Sequence, residues 1–199
     1  MRVVVLALLV LFAACSKTPQ LAKLPNDAVI LAFGDSLTFG TGATPETSYP
    51  AVLEKLIGRR VISGGVPGEI TSEGLERLPD VIEEEKPNLL ILCHGGNDLL
   101  RKIGEGQAES NLRAMITLAK SKGIPVVLIA VPKPGLTLTA PASYEKIATD
   151  MQLPIESGIL RSILTSSDLK SDAVHPNAAG YQKMAEAVAA LLKSSKAIQ

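Results

Sequence analysis

The 199-residue sequence has no tryptophan, three phenylalanines, three tyrosines, two histidines and two cysteines, and its 20 acidic residues match 20 basic ones. Each shortage narrows the function. Balanced charge leaves no electrostatic footprint for nucleic acid. Two histidines and two cysteines do not make an obvious zinc site. So few aromatic rings disfavour a groove in which sugars stack. The Gly-x-Gly-x-x-Gly and P-loop patterns are missing, with Pro45 where a dinucleotide loop begun at Gly40 needs its third glycine. Internal repeats and low-complexity segments are also missing. The hydrophobic content is 46%, which suits one well-filled domain and argues against disorder.

What is present begins with Arg2 and an apolar stretch from Val3 to Ala14, too short for a bilayer that needs ~20 residues. It reads as a signal peptide over residues 1–14. The pair Ala13-Ala14 before Cys15 resembles the lipobox of bacterial lipoproteins, with Phe12 departing from the usual leucine. That resemblance implies lipidation of Cys15 and attachment to a membrane. Ser16 in place of an aspartate favours the outer membrane, facing the periplasm, in a Gram-negative cell. Removing residues 1–14 takes away Arg2 alone, so no attraction to anionic lipid is expected. With Cys15 acylated, Cys93 is the remaining thiol and no internal disulfide forms. Residues 15–26 are mostly polar, with Pro19 and Pro25, and read as a tether; the domain is expected over 27–199.

From Ala28 onward, apolar runs alternate with helix-like segments. Ala28 to Phe33, Val61 to Ser63, Asn88 to Cys93 and Pro125 to Val131 are the strand candidates, and their continuous hydrophobicity predicts burial on both faces. Helices are expected over Tyr49 to Ile57, with Ser48 as N-cap and Gly58 at the end, over Ser72 to Lys86, over Glu109 to Lys122 and over Asn177 to Lys193. Pro79 is expected to kink or divide the second of these. The alternation predicts an α/β fold, a three-layer α/β/α sandwich around a parallel sheet. Ligands of such sheets bind at the carboxyl ends of the strands, and the unusual residues follow strand ends: Gly34-Asp35-Ser36, Gly64-Gly65-Val66-Pro67-Gly68 and His94-Gly95-Gly96-Asn97-Asp98.

These pieces contain the parts of an acyl-transfer site. Ser36 can be a nucleophile or a helix cap; it is not a nucleophile elbow, since Thr38 stands where Gly-x-Ser-x-Gly needs its last glycine. His175 can take a proton from Ser36 if its other ring nitrogen is fixed, and Asp172, three residues earlier in a turn, can fix it. His94, at the end of a buried strand, reads as structural, close enough to the crevice to touch substrate. Asn97 can donate to an oxyanion, and a backbone N–H of Gly68, or alternatively Gly65, can join it.

Together, Gly34-Asp35-Ser36-Leu37, the Gly68 loop, Gly95-Gly96-Asn97-Asp98 and Asp172-Ala-Val-His175 resemble, in order and spacing, the blocks of the SGNH subgroup of GDSL esterases and lipases. Gly68 through Gly74 to Pro79 is similar to bacterial thioesterase I/lysophospholipase L1 and arylesterase-like members. The resemblance implies a flavodoxin-like sheet, a Ser36–His175–Asp172 relay, an oxyanion hole from Ser36 N–H, Gly68 N–H and the Asn97 side chain, and no metal or cofactor. The expected substrate is a small-molecule acyl ester of short to medium chain, an aryl ester or a lysophospholipid. The apolar residues Leu99-Leu100 and Val131 to Pro141 are candidates for the wall of an acyl groove. Competing readings are a carbohydrate O-acetyl esterase and a non-catalytic flavodoxin-like module in which Ser36 to Gly42 wraps a phosphate.

Overall fold

A computed structural model describes residues 18–135 and 137–199. The expected signal peptide, Cys15 as the expected lipidation site, and Leu136 lie outside the described residues. The elements run β1 (Ile30–Gly34), α1 (Ser36–Phe39), α2 (Tyr49–Ile57), β2 (Val61–Gly65), α3 (Thr71–Glu85), β3 (Leu89–Cys93), α4 (Gly96–Leu100), α5 (Glu105–Ser121), β4 (Val126–Ile129), α6 (Ala142–Met151), β5 (Ile155–Glu156), α7 (Ile159–Thr165) and α8 (Ala178–Ser194). The strands form one parallel sheet in the order β2-β1-β3-β4-β5. Helix α8 packs with α2 and α7, and α5 packs with α3 and α6. This is the three-layer sandwich that the alternating pattern predicts.

Burial follows position in the sheet. Every residue of β1, β3 and β4 is buried, as continuous apolar runs require when helices cover both faces. The edge strands β2 and β5 are only partly covered, and β5 is two residues long, which limits pairing with a further chain. Each fully buried Leu or Ile in β1 and β3 contributes about 1.5–3 kcal/mol of transfer free energy. At the end of β1 the chain passes so close to β3 that a Cβ on Gly34 would run into the Cys93 carbonyl oxygen. Only glycine lets the two strand ends approach this far.

Several boundaries differ from expectation. Helix α3 is one continuous helix, not divided at Pro79. Pro79 is exposed, so the carbonyl that its missing N–H leaves free can bond water. Ser48 precedes α2 as expected, but its hydroxyl donates to the Pro45 carbonyl at 2.8 Å and makes no cap bond; Gly58, with φ 61°, ends that helix as expected. Helix α5 starts at Glu105, four residues before the apolar pattern becomes legible.

The larger correction concerns the tether. Leu24 is buried in the core, Leu21 packs against it, and their N–H groups bond the Ser195 and Ala197 carbonyls at 2.8 and 2.9 Å. The Gln20 amide reaches the Ser194 carbonyl. Two leucines spaced three apart in a polar stretch thus dock the segment on the end of α8, and the folded unit reaches upstream of residue 27. No helix among the described residues is long and apolar enough to cross a membrane. Leu24→Ala should lower stability by about 2–5 kcal/mol in urea unfolding; an unchanged midpoint would mean that the segment does not belong to the folded unit.

Candidate active site

The strand order changes direction between β1 and β3, and the crevice at their carboxyl ends is where such sheets bind ligands. Ser36 leaves β1 there as the first residue of α1, which Asp35 caps by accepting the Leu37 N–H on Oδ1 at 3.1 Å. Asn97 leaves β3 in the first turn of α4. From the far end of the chain, the turn before α8 completes the group.

That turn is held by its own backbone. Asp172 Oδ1 accepts the N–H groups of both Val174 and His175 at 2.8 Å, and Ser171 N–H donates to the His175 carbonyl at 2.9 Å. Asn177 caps α8 by accepting the Gly180 N–H at 3.0 Å, while its amide holds the Asp168 carbonyl. The buried Tyr181 donates its hydroxyl to the Thr41 carbonyl at 2.9 Å, tying α8 to the loop that follows α1. The outcome is a continuous chain of bonds. His175 Nδ1 lies 2.8 Å from Asp172 Oδ2, and His175 Nε2 lies 2.9 Å from Ser36 Oγ. The carboxylate assigns the ring proton to Nδ1, leaving Nε2 as acceptor for the serine hydroxyl. Burial raises the Asp172 carboxyl, but the Val174 N–H, the His175 ring and the His175 N–H outweigh it and hold the carboxyl below its ordinary range. Asp172 therefore stays ionised and orients the ring.

Three residues that carry donors line the same space. Gly68, at φ 81° in a conformation that side chains resist, and Ser36 both have backbone N–H groups with no acceptor among the described residues. Asn97 Nδ2 donates one hydrogen to the Glu69 carbonyl at 2.9 Å, which leaves its second hydrogen free. Ser36, Gly68, Asn97 and His175 line one cavity of about 270 Å³. Its apolar walls include Leu100, Val131, Pro134, Leu138, Leu164 and Val174, so the proline-rich segment after β4 forms part of the wall as expected. Leu100 lines the cavity and Leu99 does not. Gly65 does not line this cavity, and a Cβ there would strike the Thr38–Phe39 backbone, so that glycine serves the packing of β2 on α1. Gly42, which the phosphate-loop reading requires to face a ligand, faces Ser171 and Pro176 instead.

His94 is fully buried and does not reach the cavity. Its Nδ1 accepts the Gly95 N–H at 2.9 Å, which puts the ring proton on Nε2, 3.1 Å from Glu69 Oε2. Sequence reasoning missed that partner and the rest of the buried polar frame. Arg77 grips Glu69 with two bonds of 2.7 and 2.8 Å and lies over the Phe33 ring. Asp98 accepts the Thr71 N–H and hydroxyl, and Asn111 donates to that hydroxyl. The one cue in the sequence was that an acid directly follows each of Gly68 and Asn97, namely Glu69 and Asp98. Among the described residues no group of three His, Cys, Asp or Glu side chains is disposed to hold a metal ion.

A hydroxyl bonded to an imidazole that a carboxylate orients, at the open end of a parallel sheet and beside free backbone donors, is the layout of a serine hydrolase. The chain belongs to the GDSL-like Lipase/Acylhydrolase family, whose model matches residues 32–183. It is similar to the arylesterase of Vibrio mimicus, 30% identical over 192 residues, covering 91% of this chain and 94% of that one. The thioesterase 1/protease 1/lysophospholipase L1 of Escherichia coli K12 is 26% identical over 156 residues, covering 74% and 75%. The crystal structure of TesA matches with a TM-score of 0.75 at 25% identity, covering 84% of this chain and 99% of that one.

Asp35, between Gly34 and Ser36, has one oxygen, Oδ2, that is buried without a hydrogen-bond partner among the described residues. Burial pushes its carboxyl above 3.8, against the pull of His94, the Leu37 N–H, His175 and the nearby Gly96 N–H, which falls short of a bond to Oδ2. A raised carboxyl means that the ionised form is held less well in the folded than in the unfolded chain. This costs stability above the raised value, and the cost disappears as pH falls toward 3.8. Asp35→Asn, which can still cap α1, should therefore melt above the wild type at pH 7, with the difference shrinking on acidification. A lower melting temperature at pH 7 would show that the charge is compensated.

Proposed function

We propose that the protein hydrolyses carboxylic esters through an acyl-enzyme at Ser36. The observation that carries this reading is the unbroken run from Asp172 through His175 to Ser36 Oγ, with the last hydroxyl on the wall of an apolar cavity. His175 Nε2 takes the Ser36 proton as Oγ attacks the ester carbonyl, and Asp172 steadies the imidazolium that forms. The carbonyl oxygen becomes an oxyanion, stabilised by Ser36 N–H, Gly68 N–H and the free Asn97 hydrogen. His175 then passes the proton to the leaving alcohol. Water attacks the acyl-Ser36 ester by the reverse path, releasing the acid and restoring the hydroxyl.

Substrate size is read from the walls. A cavity of about 270 Å³ lies at the small end of ligand pockets, and with prolines and aliphatic residues but no Phe, Tyr or Trp among its lining residues it suits a short to medium acyl chain better than a sugar. The names of the similar arylesterase and lysophospholipase extend the candidates to aryl esters and lysophospholipids. With p-nitrophenyl esters from acetate to palmitate, Ser36→Ala and His175→Ala should each lose about 10⁴-fold or more in kcat, and Asn97→Ala about 10²–10³-fold. Full activity in the Ser36 or His175 variant, or none in the folded wild type across the series, would overturn the reading.

We also propose that Cys15 is lipidated and holds the protein to a membrane, facing the periplasm in a Gram-negative cell. The support is the apolar stretch from Val3 to Ala14 and the Ala13-Ala14-Cys15 sequence. Cys15→Ser should move the protein from the membrane to the soluble fraction of fractionated cells, whereas retention in the membrane would overturn the anchor.

A further inference from the structure

The carboxylate of Glu69 is buried, is not on the cavity wall and takes no part in the relay, yet it is bonded on every side. Arg77 Nε and an Arg77 terminal nitrogen meet its two oxygens, and His94 Nε2 meets one of them. Arg77 is itself fixed by the Phe33 ring under it and by the Gly64 carbonyl, 3.0 Å from its guanidinium. Burial raises the Glu69 carboxyl, but these partners outweigh it and pull it down to about 2, so the Glu69 carboxylate stays ionised near neutrality. Gly74 leaves the space that His94 occupies, since a Cβ there would collide with the imidazole. The six-residue step from Gly68 to Gly74 thus spans the whole device: a loop glycine, an anchored acid and a helix glycine that admits the histidine.

The backbone of Glu69 is bound to both sides of the oxyanion site. Its N–H closes a turn onto the Val66 carbonyl at 3.2 Å, its carbonyl accepts the Asn97 amide at 2.9 Å, and Gly68 directly precedes it. Arg101 holds the Gly68 carbonyl at 2.7 Å. We infer that Glu69 is a positioning residue for transition-state stabilisation: its side chain, locked by Arg77 and His94, fixes one peptide that aims the Gly68 N–H and a second atom that aims the Asn97 amide. Two donors from different strand ends are thereby referred to one buried carboxylate. A ~1 Å misplacement of such donors can cost ~10²-fold in rate.

The inference rests on the esterase reading, and the test separates the two. The kcat and KM of wild type, Glu69→Gln and Glu69→Ala are measured on p-nitrophenyl butyrate per active site titrated with a p-nitrophenyl phosphonate, so that a smaller folded fraction does not count as lost rate; Ser36→Ala, which has no hydroxyl to titrate, is measured per mole of folded protein. Affinity for a trifluoromethyl ketone, which forms a reversible oxyanion adduct with the serine, is measured alongside. Positioning predicts that Glu69→Ala loses ~10²-fold in kcat with KM within about threefold, that ketone affinity falls by a similar factor, and that Glu69→Gln, still able to meet Arg77, falls by ~10-fold. A kcat within threefold of wild type in both variants, a loss carried by KM alone, or a lower kcat with ketone affinity unchanged would overturn the inference while leaving the esterase intact. A wild type without Ser36-dependent turnover would overturn both.

Discussion

The parallel pairing of β1 with β3, in register from Ile30 opposite Leu89 to Gly34 opposite Cys93, brings two loops out of the sheet side by side. One loop presents Ser36, the other Asn97, and the distance between them is set by backbone hydrogen bonds, not by side-chain adjustment. A shift of one residue would send every side chain of the strand to the opposite face of the sheet, against a different helix layer, and carry Asn97 away from the serine. Two fully buried strands make such a shift very costly. The hydrophobic effect that folds the sheet therefore also fixes the reacting groups, and the third component, the turn bearing His175, needs only to be brought to a surface already in place.

That last component is attached differently. The turn from Ser171 to Asn177 lies over the sheet edge without pairing in it, and its shape comes from short-range bonds to Asp172 and Asn177 and from the Tyr181 link to Thr41. The carboxylate that orients the imidazole also makes the turn, so one side chain does local folding and chemistry together. Asp35 shows the reverse arrangement. One of its oxygens caps α1, while the other is buried without a bond, next to the nucleophile. Local stability is lower there than a neutral residue would give, as is common where activity sets the choice of residue.

Much of this arrangement was legible before any coordinates. The central strands announced themselves because full burial demands unbroken apolar runs, and Ser36, Asn97, Asp172 and His175 stood out because their residue types recur at strand ends and helix starts. Strand β5 was not legible, since Ile155 and Glu156 are too few to show a period. Helices α6 and α7 escaped as well: α7 is short, and α6, though ten residues long, follows directly on an equally apolar proline-rich loop that hides its start. Glycines at 104 and 106 masked the start of α5. The Glu69–Arg77–His94 contact was hidden most deeply, because Glu69 lies in the loop before α3, eight residues from Arg77 on that helix, and only the fold brings the two together beside His94.

The docking of Leu21 and Leu24 has a geometric consequence. Helix α8 begins beside His175 and ends at Ser194, about 25 Å away at 1.5 Å per residue, and the N-terminal segment joins it at that far end. Leu24 lies close in sequence to the start of β1, so both ends of the described chain leave the domain at the edge of the sheet remote from Ser36. Whatever is attached through either terminus, whether lipid, linker or fused domain, meets the protein at its base.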